Sequence, residues 1–168
     1  MNLIFISSTY KDLVSCRKSI YNSILKDGHF PIVMENFPAS NKDQWEIIKP
    51  LIDKCDYFVL LIGFNYGSIA ENENISFTEK EYNYAISINK PILSFILDNS
   101  LSLDKKIKNK KKLNLFKKKV LSNSKLAQYC KDENTISSDV IIALNREYND
   151  NSQSGWIRAK IYQDIKQK

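Results

Sequence analysis

Four short apolar runs lie along the first hundred residues without the polar alternation of a half-exposed strand: Leu3–Ile6, Phe30–Met34, Tyr57–Ile62 and Pro91–Ile96. Runs of this length are the pattern of strands buried on both faces. Helix-length segments separate them. From Leu13 to about Asp27, the residues Leu13, Cys16, Ile20 and Ile24 recur at helical spacing, with Asp12 placed to cap the start and Gly28 to stop the end. Asp43 opens a second helix on which Trp45, Ile48, Ile52 and Cys55 share a face, and Thr78–Asn89 reads as a third. After Asp98 the pattern loosens into a lysine-rich helix, a short strand at Leu126–Cys130, a helix near Ile136–Tyr148 and a polar NDNSQSG turn before Trp156. Strands that alternate with helices predict a flavodoxin-like, doubly wound parallel sheet of four to five strands, with helices on both faces. The expected organisation is a single domain over 1–168, with a core at 1–98 and a Lys-rich, helical C-terminal part at 99–168.

A chain of 168 residues buries one sizeable core and is short for two. The opening MNLIFISSTY lacks the basic start of a secretory signal, and the longest apolar run, Phe58–Phe64, is far below the ~20 residues of a membrane span. A cytoplasmic protein without membrane contact is expected. Cys16, Cys55 and Cys130 are odd in number, widely spaced and without a CxxC pair, so buried reduced thiols are expected rather than a disulfide framework or a metal site. The net charge of +6 is local. Lys105–Lys119 contains nine lysines and no acid, and setting those nine aside turns +6 into −3. That run suits either a solvated helix face, with Leu113, Phe116, Val120 and Leu121 supplying the buried side, or a surface for nucleic acid or another acidic partner.

In open parallel sheets, ligands bind beyond the carboxyl ends of the strands, where the strand order reverses. The residues there are Ser7, Ser8 and Thr9 after the first strand, Glu35 after the second, and Gly63, Tyr66 and Gly67 after the third. Hydroxyl side chains at a strand end bind phosphate or ribose oxygens, and glycine lets the backbone approach a ligand. The same residue types also make ordinary turns. Missing motifs narrow the chemistry. No GxGxxG follows the first strand and no GxxxxGK[ST] occurs, which excludes the common dinucleotide and P-loop fingerprints. A single histidine, His29, leaves a Ser-His-Asp triad or a histidine metal centre unsupported. A carboxylate is then the natural reactive group, and Glu35 and Glu81 stand at the ligand edge.

Glu81 has two readings. Thr78-Glu79-Lys80-Glu81 fits a capping box, in which the glutamate at the third helical position reaches back to the cap. Yet Glu81, Ala85 and Ile88 recur at i, i+4 and i+7, which turns Glu81 toward the sheet.

These residues carry a resemblance. FISSTYKDL, GHFPIVMENFPASNKDQWEIIK, DYFVLLIGFNYGS and ISFTEKEYNYA, with the later LNLFKKKV and SGWIRA, resemble a family of TIR-like domains of uncharacterised activity. Such domains often stand at the front of larger proteins, before NTPase modules or helical repeats. The family is more distantly similar to enzymatic TIR domains and nucleoside deoxyribosyltransferases, in which a glutamate early in a helix, four residues before a small one, acts at a ribosyl C1′. Glu81 and Ala85 fit that spacing. Where many relatives read GxRYG, this chain has Asn65. The resemblance implies a TIR-like fold, self-association, and cleavage of the N-glycosidic bond of NAD or a related nucleotide by Glu81, in the manner of a defence effector. Ser7, Ser8, Thr9 and the Gly63–Gly67 turn would line the nucleotide cleft, Glu35 would hold a ribose hydroxyl, and Tyr10 and Tyr66 would either stack on a base or pack as core or rim aromatics. NAD enters as substrate, with no cofactor or metal. The alternative it leaves open is a non-catalytic module for self-assembly or nucleotide sensing.

Overall fold

A computed structural model describes residues 1–9, 12–34, 43–70, 73–97, 109–123, 127–131, 135–150 and 155. Strands and helices alternate throughout: β1 (Leu3–Ser8), α1 (Val14–Lys26), β2 (Phe30–Ile32), α2 (Gln44–Lys54), β3 (Tyr57–Ile62), α3 (Phe77–Ser87), β4 (Ile92–Leu97), α4 (Lys110–Asn123), β5 (Ala127–Cys130) and α5 (Ile136–Asp150). The five strands form one sheet in the order β2-β1-β3-β4-β5. Every neighbouring pair is parallel, with Phe5 opposite Phe58 and Leu61 opposite Phe95. This is the doubly wound α/β architecture expected, and its strand order reverses between β1 and β3.

The period-two alternation of a strand sends successive side chains to opposite faces, and the core divides accordingly. Ile4, Ile6, Val59 and Leu61 face α1 and α5, packing on Cys16, Ile20, Ile24, Val140 and Leu144. Phe5, Phe58, Leu60 and Ile62 face α2, α3 and α4, packing on Ile48, Ile52, Tyr82, Ala85 and Phe116. All six residues of β3 are buried, as its unbroken YFVLLI requires. The C-terminal part is more than a helical extension. β5 completes the sheet, and α5 lies in the same cluster as α1.

Several boundaries moved. β2 stops at Ile32, and Met34 turns away from the sheet into a cleft wall. Asp12 does not cap α1; Leu13 takes that position without a side-chain bond. Asp43 does sit at the start of α2, but it makes no capping hydrogen bond. The third helix begins earlier than Thr78, with Ser76 as its cap. The three cysteines form no disulfide and are buried. No helix among the described residues is long and apolar enough to cross a membrane.

The lysine run is only partly a solvated face. On α4, Leu113, Phe116 and Val120 are buried while Leu121 is exposed. Three of its lysines bond to the rest of the fold, and one of them is buried. Lys112 Nζ donates to the Asn74 carbonyl at 2.7 Å, Lys119 Nζ meets Glu79 Oε1 at 3.1 Å, and buried Lys117 reaches the Leu97 carbonyl at 3.4 Å. Lys110, Lys111 and Lys118 are exposed. Residues 105–108, the start of the run, lie outside the described residues, as do residues 151–154 and Trp156, whereas Asn149 and Asp150, expected in the NDNSQSG turn, are the last residues of α5.

Candidate functional site

At the carboxyl edge of the sheet, above β1, lies a cleft of about 230 Å³. Ile6, Ser8 and Thr9 form its floor, with Arg17 of α1 on one side and Thr78 and Glu81 of α3 on the other. Met34, Gln44, Phe77 and the Gly67–Ser68 turn complete the wall. Arg17 and Glu81 are its charged groups among the described residues. The cleft sits where the helical layers part, at the reversal of strand order, which is where open α/β sheets hold ligands.

Ser76 settles the two readings of Glu81. Its Oγ accepts the Glu79 N–H at 3.2 Å, so the cap of α3 is Ser76, with Glu79 at the third helical position. The Thr78-to-Glu81 box is corrected by this two-residue shift. Thr78, inside the first turn, instead faces the cleft. Glu81 therefore has no capping duty. It is 5% exposed, and its Oε2 accepts the Ser7 hydroxyl at 2.5 Å. Burial pushes its carboxyl up from the ordinary 4.5 to about 7, against the smaller lowering effect of the Ser7 hydrogen bond.

Arg17 was missed from sequence. It is buried, and its Nη1 donates to Ser8 Oγ at 3.0 Å and to the Thr9 carbonyl at 2.6 Å. A signal was present: Arg17 stands four residues after Leu13 and three before Ile20, on the apolar stripe of α1. Ser7 and Ser8 divide the work by strand alternation. Ser7 points with Phe5 toward the α3 layer and holds Glu81; Ser8 points with Ile6 toward α1 and receives Arg17. The last two residues of one strand thus anchor one charge on each face.

The other expected residues are placed as follows. Thr9 and Gly67 line the cleft. Gly67 has φ of +93°, and a Cβ there would stand 3.1 Å from Thr9 Cγ2, so both its conformation and its closeness to Thr9 favour glycine. Gly63 allows a close internal approach: a Cβ would fall 2.5 Å from Asp12 Oδ2. That carboxylate accepts the N–H groups of Phe64 at 2.8 Å and Asn65 at 3.0 Å and the Thr9 hydroxyl, tying the end of β1 to the end of β3. Tyr66 lies in the core rather than stacking in the cleft. It is buried beside Phe116, and its hydroxyl donates to Glu79 Oε2 at 2.5 Å. Tyr10 and Glu35 lie outside the described residues.

Comparison with known proteins adds a family and a fold. The family model described as "Domain of unknown function (DUF4062)" matches residues 3–145. No curated protein matches the sequence. Among solved structures, the TIR domains of the activated Roq1 resistosome, which directly recognises the pathogen effector XopQ, align with a TM-score of 0.60 at 10% identity. That alignment covers 86% of this chain and 99% of theirs. A prokaryotic SEFIR domain aligns with a TM-score of 0.51 at 15% identity, over 95% of this chain and all of its own. At these identities the likeness shows a shared TIR-like α/β fold.

Proposed function

We propose that this chain, which belongs to the DUF4062 family of domains of unknown function, cleaves the N-glycosidic bond of NAD or a related nucleotide in the cleft above β1, with Glu81 as the catalytic carboxylate. The observation that carries this reading is the placement of Glu81: buried in a cleft wall, held by Ser7 and released from helix capping by Ser76. In NAD the nicotinamide ring is already cationic, so the C1′–N bond breaks with its electron pair going to the ring nitrogen, and no general acid is needed. Positive charge then develops on the ribose, as in glycoside hydrolysis. An ionised carboxylate fixed beside C1′ stabilises that charge in a site of low dielectric. Water adds its oxygen to C1′ and gives up a proton, leaving nicotinamide and a ribosyl product. The Ser7 hydrogen bond orients the carboxylate and favours its ionised form.

Loss of NAD starves a cell, which fits the effector arm of a prokaryotic defence system acting in the cytoplasm, with self-association completing the assembly. The test is incubation of concentrated protein with NAD and chromatography for free nicotinamide. Wild type releases it and Glu81→Gln does not. Turnover should rise with pH through about 7 as Glu81 ionises.

A second reading is a non-catalytic self-assembly or nucleotide-sensing module. The cleft volume of about 230 Å³ favours it, being below the roughly 300–1,000 Å³ of typical ligand pockets. Concentration-dependent assembly without nicotinamide release, unchanged in Glu81→Gln, would establish this module in place of the enzyme.

A further inference from the structure

A buried arginine beside a ligand cleft has a charge that is always present. Arg17 is 5% exposed, lines the cleft, and has its Nη1 held by bonds to Ser8 Oγ and the Thr9 carbonyl. Four hydroxyl-bearing residues and a glycine share the cleft with it, Ser8, Thr9, Ser68, Thr78 and Gly67, beside Ile6, Met34, Gln44 and Phe77. A guanidinium with neighbouring hydroxyls is the composition of a phosphate site. Across β1 stands Glu81, anchored through Ser7 as Arg17 is through Ser8. Both charged side chains line the one cleft, so a ligand lying over the end of β1 meets both. A cleft of about 230 Å³ takes one such unit and not a whole dinucleotide.

We infer that Arg17, with the Ser8 hydroxyl and the Gly67–Ser68 turn, forms a phosphate subsite, so that the ligand entering the cleft is a ribosyl 5′-phosphate, free or as one half of a dinucleotide. This rests on the reading of Glu81 as the group facing the ribose. The sugar lies toward α3 and its phosphate toward α1, so a free nucleoside fills only half of the site.

The experiment uses the Glu81→Gln protein, whose binding is separable from turnover, and calorimetry with nicotinamide mononucleotide and nicotinamide riboside. The phosphorylated compound is expected to bind roughly tenfold to a hundredfold more tightly, the range of a charge-assisted hydrogen-bond pair, with inorganic phosphate competing. Adding Arg17→Gln is expected to bring the two affinities together. Should that variant fail to fold, Arg17→Lys, which keeps the charge and loses the planar fork, is expected to narrow the difference. Equal affinities in the Arg17 protein, a preference that survives both arginine substitutions, or no binding of either compound would overturn the subsite. The two proposals fail separately. Phosphate-dependent binding without nicotinamide release by wild type keeps the subsite and removes the catalytic role of Glu81. Equal kcat/KM for the mononucleotide and the riboside does the reverse.

Discussion

Replacing Glu81 by glutamine keeps the size of a buried side chain and an oxygen for the Ser7 hydroxyl, while removing the ability to ionise. The native carboxyl titrates at about 7 and the ordinary value is 4.5. Between those two pH values the folded state holds a proton that the unfolded state has released. Stability is therefore full below about 4.5 and falls as pH rises through 7, by about 1.4 kcal/mol per pKa unit, or ~3 kcal/mol in all. Glutamine has no such dependence. Glu81→Gln and wild type should differ little at pH 4.5, and the variant should become progressively more stable, by ~3 kcal/mol, at pH 8. For a protein of this size that is a gain of roughly 6–12 °C in Tm. Paired melts across pH 4.5–8.5, followed by circular dichroism, read this difference directly, because every other titrating group is common to both proteins. A Tm difference that does not change with pH would refute the burial of an ionisable Glu81, and a variant that loses ground as pH rises would refute the sign.

Further outcomes follow from the same contacts. Asp12→Ala leaves the Phe64 and Asn65 N–H groups without their acceptor and should cost about 2–3 kcal/mol in urea unfolding. Gly63→Ala should be comparably damaging, because its Cβ would fall 2.5 Å from Asp12 Oδ2, and less damaging once residue 12 is alanine, where only the Leu13 side-chain contacts at 3.1 Å remain, a non-additivity that a double-mutant cycle measures. Ser76→Ala should cost about 1 kcal/mol and speed amide exchange at Glu79, whose N–H it holds, whereas Thr78→Ala should leave that amide protected. The sole histidine, His29, has its pKa lowered from 6.5 chiefly by burial, and its Nδ1 accepts the Asn2 N–H at 3.0 Å. The neutral ring is thus the native form, and its contribution to stability is lost as pH falls below 6.5; an NMR titration with its midpoint above 6.5 would contradict this.

The sheet was legible because buried parallel strands print themselves as unbroken apolar runs: Tyr57–Ile62 was read to the residue. What the runs do not encode is where a helix begins. Ser76 and Thr78 are both good caps, and a glutamate follows each at the third position, Glu79 and Glu81. The pairing of the segment before α3 with the β3 turn, through the Ile69–Ser76 bridge and the Phe77 N–H bond to the Ser68 carbonyl, accompanies the earlier start. Asp12 was misjudged for a related reason. Local spacing suggests a cap, but the N–H groups of the β3 turn, over fifty residues away, claim its carboxylate. Tyr66 reads as a loop aromatic until Glu79 and Phe116 enclose it. Arg17 was obscured by habit of composition, since charged residues are rarely fully buried, although its place on the apolar stripe of α1 was visible throughout.

The energetics of Glu81 bear on why it is there at all. A side chain needed only to fill space against β1 would be better as glutamine or an apolar residue, because neither carries the cost of ionising in a dry site. A side chain needed only to begin α3 is redundant, since Ser76 already caps it. The second glutamate of the segment shows what a structural carboxylate looks like here: Glu79 is tied to the Tyr66 hydroxyl and to Lys119, both held by elements outside the cleft. Glu81 has instead one hydroxyl partner, from the strand end, and opens onto the cleft. Two acids two residues apart thus have separate surroundings, one satisfied within the fold and one kept near neutrality facing the site. A carboxylate whose pKa approaches the working pH is what the chemistry proposed for Glu81 would use, and the stability that Glu81→Gln should recover measures how much the fold gives up to keep one there.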